Sequence, residues 1–366
     1  EKFKNLVING DMRIFQRATS ATTSTSTYDT VDRFLLYESS DGAMTSEKED
    51  LSVADQATTG QRTALEMNVT TADGTIAANQ FAAIYHRIEA QNLQHLLYGT
   101  SAAKNLTLSF WCKSNKTGTY CISFNKNDST EYYIPIEYTI SSANTWEKKV
   151  IVLSPTAGST SLITASGGAI ADDNGVGLQI TFGLAWGSNY HGTNNTWTTS
   201  SHLATSNQVN WLDSTSNNFY LTGVQLEVGD QATDFEHLPF DVQFQRCQRY
   251  LQCITHNATT SGNVTGDNKY VMDVHFYNNT ACYGSYMFPV QMRGTPTVVA
   301  TDTSNAMRVY YKGTYDSIDN LSLEGTARFN HILLGNFTDI GDNSQTGAAG
   351  HIYNYDNAQV FVQAEL

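Results

Sequence analysis

Apolar residues recur along this chain at every second position far more often than at every third or fourth, which is the pattern of half-buried strands. Leu106, Leu108, Phe110 and Cys112 alternate with polar neighbours, as do Leu178, Ile180, Phe182 and Leu184. Tyr120, Ile122 and Phe124 predict a strand beside the first of these, and residues 63–69 and 131–140 predict two more. Pro135 places the last at an edge or a bulge, because proline cannot donate to a ladder. Leu6, Val7 and Ile8 predict a short strand, Asn9-Gly10 a turn, and Met12, Ile14 and Phe15 a second strand. Residues 81–97 read either as one helix or, preferably, as a strand through Ile88 followed by a helical turn over 91–98. Val150 and Val152, then 209–212, predict further short strands. Phe219, Leu221, Val224, Leu226 and Val228 predict the last strand of a first domain.

After that strand the period changes. Gly229-Asp230 signals a turn, Pro239 can open a helix, and Phe240, Phe244, Cys247 and Leu251 then fall on one helical face. Beyond residue 255 strands resume: Tyr270, Met272, Val274 and Phe276 alternate, and Val309, Tyr310 and Tyr311 form another. The expected organisation is a jelly-roll domain over 1–238, a linker helix over 239–254 and a smaller C-terminal β domain over 255–366. The fold class is all-β: two antiparallel two-sheet sandwiches without βα units. Jelly rolls of this kind are shared by many carbohydrate-binding modules, and fold alone does not give function.

Composition sharpens this picture. Of 366 residues only 15% are charged, and 20 Tyr with 16 Phe suit pleated, half-buried surfaces. The net charge of −14 argues against a nucleic-acid partner, since phosphate binding needs a positive face. No apolar run is long enough to span a bilayer as a helix. The five cysteines, Cys112, Cys121, Cys247, Cys253 and Cys282, contain no CxxC pair. Cys112 and Cys121 could face each other on a hairpin and form a bridge; buried, reduced thiols and assembly in a reducing cytoplasm are the preferred reading. Translated chains start with Met and this one starts with Glu1. The expectation is therefore a trimmed chain or the later part of a longer one.

Several stretches resemble the signatures of a family of phage virion proteins, many of them tail fibres. They are NGDMRIFQR at 9–17 with DRF at 32–34, HRIEAQNL at 86–93 with TLSFW at 107–111, TGVQLEVG at 222–229 with CQRY at 247–250, FPVQMRGTPT at 288–297, and the closing AEL. The resemblance implies a virion structural protein on the tail or capsid surface, assembled in the host cytoplasm. It would contact a host-surface glycan or protein, associate with other virion proteins, and resemble fibres that assemble as homotrimers. The alternative is a head fibre or capsid decoration protein; a glycan depolymerase is a third reading.

Candidate chemistry is sparse. Glu137, Asp172, Asp173, Glu227 and Asp234 supply acids, but no spacing marks a hydrolytic pair, and the expected function is non-enzymatic. Sugar binding suits the aromatic residues better, because ring faces take sugar C–H groups while amides and carboxylates take hydroxyls. Candidates are Tyr190, Asn194 and Trp197 in the polar segment 189–208, and Tyr310, Tyr311 and Tyr353 in the second domain, with Tyr315 and Tyr355 nearby. Their alternative role is packing loops or subunit contacts. No cofactor is expected beyond a structural calcium ion, for which Asp11, Glu227 and Asp230 are the candidate ligands.

Overall fold

The computed structural model describes residues 3–23, 26–128, 130–255, 270–278, 280–300, 307–318, 320–323, 332–338, 346–354 and 359–366. The chain divides into two compact units, 1–238 with Leu366, and 239–365. Regular structure in both is overwhelmingly strand.

The strands of the first unit are β1 (Ser20–Thr23), β2 (Phe34–Ser39), β3 (Ala43–Asp50), β4 (Thr63–Thr71), β5 (Phe81–Glu89), β6 (Leu106–Ser114), β7 (Gly118–Lys126), β8 (Tyr132–Ile140), β9 (Glu147–Leu153), β10 (Val176–Trp186) and β11 (Asn218–Val228). They pair antiparallel into two sheets, ordered β1-β3-β4-β11-β6-β9 and β2-β5-β10-β7-β8. The chain crosses between the sheets at every connection except β3–β4 and β7–β8, which gives the jelly-roll sandwich. One short helix, α1 (Val53–Thr59), is capped by the Ser52 hydroxyl, which accepts from the Asp55 N–H at 3.1 Å. The facing sides of the sheets are apolar, and Phe110 meets Phe182 edge-on across the core, with ring centroids 5.2 Å apart. Residues 81–97 follow the preferred division, a strand and then a 3₁₀ turn over Ala90–Leu96. Pro135 lies on β8, an edge strand.

Two local expectations fail for identifiable reasons, and two strands that form as expected differ in detail. Residues 6–15 are not strands. Asn9, buried with φ 60°, accepts the Arg13 and Ile14 N–H groups on its side-chain oxygen and donates to the Ile14 and Asp32 carbonyls. One amide thus does the work of a ladder partner. Residues 209–212 lead into a 3₁₀ turn, Trp211–Asp213, because the Asn210 side chain caps the Leu212 N–H at 3.0 Å. On β9 the buried face is Ile151 and Leu153, while Val150 and Val152 are exposed. On β11 the apolar alternation slips at Gly223 (φ 60°), where a bulge separates Thr222 from Gln225.

Cys112 and Cys121 do not share a hairpin: β6 and β7 belong to opposite sheets. All five cysteines are buried free thiols.

The second unit opens with α2 (Phe240–Gln248), with Pro239 at its N-cap. Its buried face carries Gln243 and Cys247, and the helix ends before Leu251, which begins a strand. The strands are β12 (Leu251–Cys253), β13 (Tyr270–Phe276), β14 (Cys282–Met287), β15 (Thr297–Ala300), β16 (Met307–Tyr311), β17 (Thr314–Ile318), β18 (Asn320–Leu323), β19 (Ile332–Thr338), β20 (Ala349–Asn354) and β21 (Val360–Gln363). They form a three-stranded sheet, β12-β21-β15, and a seven-stranded sheet, β17-β16-β20-β13-β14-β19-β18. Val360 and Val362 of the small sheet share one core with Val274, Phe276, Val309 and Ile352 of the large one. The second unit is therefore also a β-sandwich.

Candidate functional site

The stretches that stand out in the sequence are structural. Asp32 and Arg33 are both fully buried. Asp32 accepts from the Gln16 backbone N–H at 2.9 Å and from its side-chain amide, while the Arg33 guanidinium donates to the Arg87 carbonyl at 2.9 Å. The TGVQLEVG stretch is likewise an anchorage. Buried Gln225 accepts from the Glu236 N–H at 2.8 Å and donates to Glu227 at 2.9 Å. Glu227 also takes the Thr233 N–H and hydroxyl at 2.8 and 2.7 Å. Glu236 accepts the Lys4 and Asn5 N–H groups, and Asn5 in turn binds the Leu226 N–H and the Val224 carbonyl. These residues thus clasp the first residues of the unit to its last strand. Gly10 is required within this clasp, since a Cβ there would lie 2.0 Å from the Val224 oxygen.

The segment 189–208 is not an open binding loop. It lies on the outer face of the five-stranded sheet, where Leu203, Ala204 and half-buried Tyr190 pack with Leu35, Tyr85 and Trp186. Trp197 is 2% exposed, and its indole N–H donates to the Ser154 carbonyl at 2.8 Å, so it is core rather than ligand surface. Asn194 is exposed, but its side-chain oxygen accepts the Glu137 N–H at 3.0 Å and fastens the segment to edge strand β8.

The proposed calcium ligands do not converge. Among the described residues no three His, Cys, Asp or Glu side chains are grouped to hold a metal ion. Glu227 is committed to the clasp, Asp230 is exposed, and Asp11 faces Arg13 at 3.7 Å. The acids considered for hydrolysis are dispersed: Glu137 accepts from Thr205 and Asn207, Asp173 caps the Gly175 N–H, and Asp172 and Asp234 are exposed.

The surface with the right chemistry is the outer face of the seven-stranded sheet. Strand alternation sends Met307, Val309 and Tyr311 inward and Arg308 and Tyr310 outward. Tyr311, 5% exposed, packs edge-on against Phe276 with centroids 5.0 Å apart, so it is not a surface ligand group. Ladder register then assembles the outer face in rungs. One rung reads Tyr315, Tyr310, His351 and Asp273 across β17, β16, β20 and β13. The next reads Ser317, Arg308, Tyr353 and Tyr270 on the same strands. A third pairs His275 with Tyr283 of β14. Tyr270 reaches this face because a bulge separates it from Met272; simple alternation would have put it in the core. Tyr355 lies outside the described residues.

The rings form a connected platform. Tyr310 lies 5.4 Å from Tyr315 and 5.0 Å from Tyr353, Tyr353 lies 6.0 Å from Tyr270, and His275 lies 6.0 Å from Tyr283. Tyr315 is 50% and Tyr270 54% exposed, so both offer substantial ring area to solvent. Beside the platform is a depression of about 350 Å³ lined by Asp273, Val274, His275, Tyr283, Gly284 and Ser285. His351 Nδ1 stands 2.7 Å from Asp273 Oδ1. Hydrogen bonds from His351 and Tyr270 hold the Asp273 carboxyl below the usual carboxylate range, while desolvation, and then the bond to Asp273, raises the Tyr270 phenol. The face therefore presents apolar ring surfaces beside hydroxyl, imidazole and carboxylate groups, which can stack on a ligand and bond to its hydroxyls. Of its members Tyr310 and Tyr353 were binding candidates from the sequence, with Tyr315 named beside them. Polar residues at alternate positions, Asp273 and His275 on β13 and His351 and Tyr353 on β20, were the available signal for the others.

The chain matches no family model and no curated protein. Among solved structures it is similar to a protein of Bacteroides thetaiotaomicron described as a candidate sugar-binding protein, at 12% identity, covering 62% of this chain and 100% of that one, with a TM-score of 0.35. It is also similar to the enzymatically active domain of tailspike protein 4 of bacteriophage CBA120, at 12% identity, covering 62% of this chain and 21% of that one, with a TM-score of 0.31. A third is the family 11 carbohydrate-binding module of Clostridium thermocellum with a mixed-linked tetrasaccharide, at 10% identity, 59% and 99% coverage, and a TM-score of 0.29. At these scores the likeness is distant, and the chain is grouped with none of them.

Proposed function

We propose that this chain is a non-catalytic glycan-binding protein of a phage particle, a tail fibre or similar host-contact component on the virion surface. Binding is through the tyrosine face of the second unit. The observation that carries this reading is the double rung of exposed Tyr315 and Tyr270 and half-exposed Tyr310 and Tyr353, bordered by His351 and Asp273. Rings in that number on one solvent face are costly to leave in water unless something covers them. The virion assignment is supported by the sequence signatures quoted above. A homotrimer would multiply weak single-site affinity into stable attachment.

The test is binding of the full chain to immobilised bacterial surface polysaccharides, with Tyr310→Ala and Tyr353→Ala as variants. The expected result is binding that each variant weakens by tenfold or more, that is by about 1.4 kcal/mol, with no shortening of the polysaccharide. Absence of binding to any glycan, together with retention on purified capsids, would replace this reading with a decoration role. Shortened glycan chains would replace it with a depolymerase.

A further inference from the structure

We infer that the tyrosine face of the second unit selects uncharged glycan segments, laid across the strands, over anionic ones; this rests on the glycan reading above. Charge on this face is answered within the face. The Asp273 carboxylate takes hydrogen bonds from His351 and Tyr270, and the Arg308 guanidinium lies over the Tyr315 ring, 4.2 Å from its centroid. An anionic sugar would have to draw Arg308 off that ring and would meet the Asp273 carboxylate on the neighbouring rung. An uncharged sugar needs neither change. The carboxylate has about four acceptor sites on two oxygens, enough to take vicinal hydroxyls besides its two donors in the face.

The direction of the ligand follows from register. From Tyr315 to Asp273 the rung crosses four strands, about 14 Å at ordinary strand spacing, the reach of a short oligosaccharide. Rings dominate one end, Tyr315 and Tyr310, and hydrogen-bonding groups the other, where the depression beside Asp273, His275, Tyr283 and Ser285 begins. A polymer running across the strands meets stacking first and hydroxyl recognition second.

The experiment is a glycan array carrying uncharged and anionic oligosaccharides, probed with the full chain and with its Tyr310→Ala and Arg308→Gln variants. Solution affinities of the hits are then measured at low and high salt. Expected are uncharged hits, weakened tenfold or more by Tyr310→Ala, with affinity changing by less than about twofold as salt rises. Anionic hits lost in both variants and weakened steeply by salt would overturn this inference and leave the glycan reading standing. Hits unaffected by Tyr310→Ala would overturn this inference and move the site off this face while glycan binding stands; no hits at all would overturn the glycan reading and this inference together. Melting temperatures of both variants within about 5 °C of the parent chain's separate lost binding from lost folding.

Discussion

His351 Nδ1 and Asp273 Oδ1 stand 2.7 Å apart on paired positions of β20 and β13. Both side chains are exposed, so the bond adds little to global stability. Its signature is the titration of the carboxyl. A folded-state value held below the unfolded one, about 3.9, means that whatever the bond stabilises is present above that value. It is lost as pH falls through the lower folded value. Carbon NMR of Asp273 is expected to show a midpoint below that of an unperturbed aspartate, and His351→Ala should move it upward. A midpoint indifferent to His351→Ala would show that the bond does not form in solution.

Adjacent tyrosines of β16 have opposite roles, and substitution should separate them. Tyr311→Ala removes a core ring packed on Phe276 and is expected to cost about 3–5 kcal/mol, as large aromatic truncations do. Tyr310→Ala truncates a half-exposed ring and should change stability by about 0.5–1 kcal/mol. Thermal unfolding reads both, and equal losses would refute the assigned strand register.

The cysteines should be silent in the native protein. Burial pushes the thiols of Cys112 and Cys282 up to about 12 and that of Cys121 up to about 11. Thiolate is therefore scarce and shielded at ordinary pH. A thiol-reactive probe at pH 8 is expected to label none of the five cysteines before unfolding and all of them in denaturant, with no effect of reductant on melting.

Lys126 acts as a tethered cation inside the first unit. Its ammonium, fully buried, donates to the carbonyls of Asp128, of Thr130 at 2.9 Å and of Gly167 at 3.1 Å, and lies near the Tyr132 ring. Lys126→Met keeps the stem but strips these carbonyls of their donor. It should destabilise by about 1–3 kcal/mol, seen in calorimetry of the first unit. A neutral result would mean that water replaces the ammonium at no cost.

The strands were legible where one face is apolar and the other polar, as in β6 and β10, and the edge position of β8 followed from Pro135 having no donor. The sequence was silent where a side chain substitutes for a strand partner, as Asn9 does, because the bonds it makes reach Asp32 far along the chain. It was ambiguous in β9, where Val150, Ile151, Val152 and Leu153 are apolar at both parities, and in the Tyr310-Tyr311 pair for the same reason. Trp197 looked like a ligand ring in a polar segment; only the carbonyl of Ser154, 43 residues away, shows why it is buried. The platform itself is non-local: its rungs come from four strands scattered over some 80 residues, joined only by register.

The hydrogen bonds from Lys4 and Asn5 to Glu236 also set how the first unit bears tension. They join the residues through which the chain enters the unit to those through which it leaves. A pull between residue 4 and residue 238 is therefore taken first by these few bonds, and the sheets feel no force until they part. Mechanically, the first unit is a closed ring hung beside the line of pull rather than a spring placed in series with it.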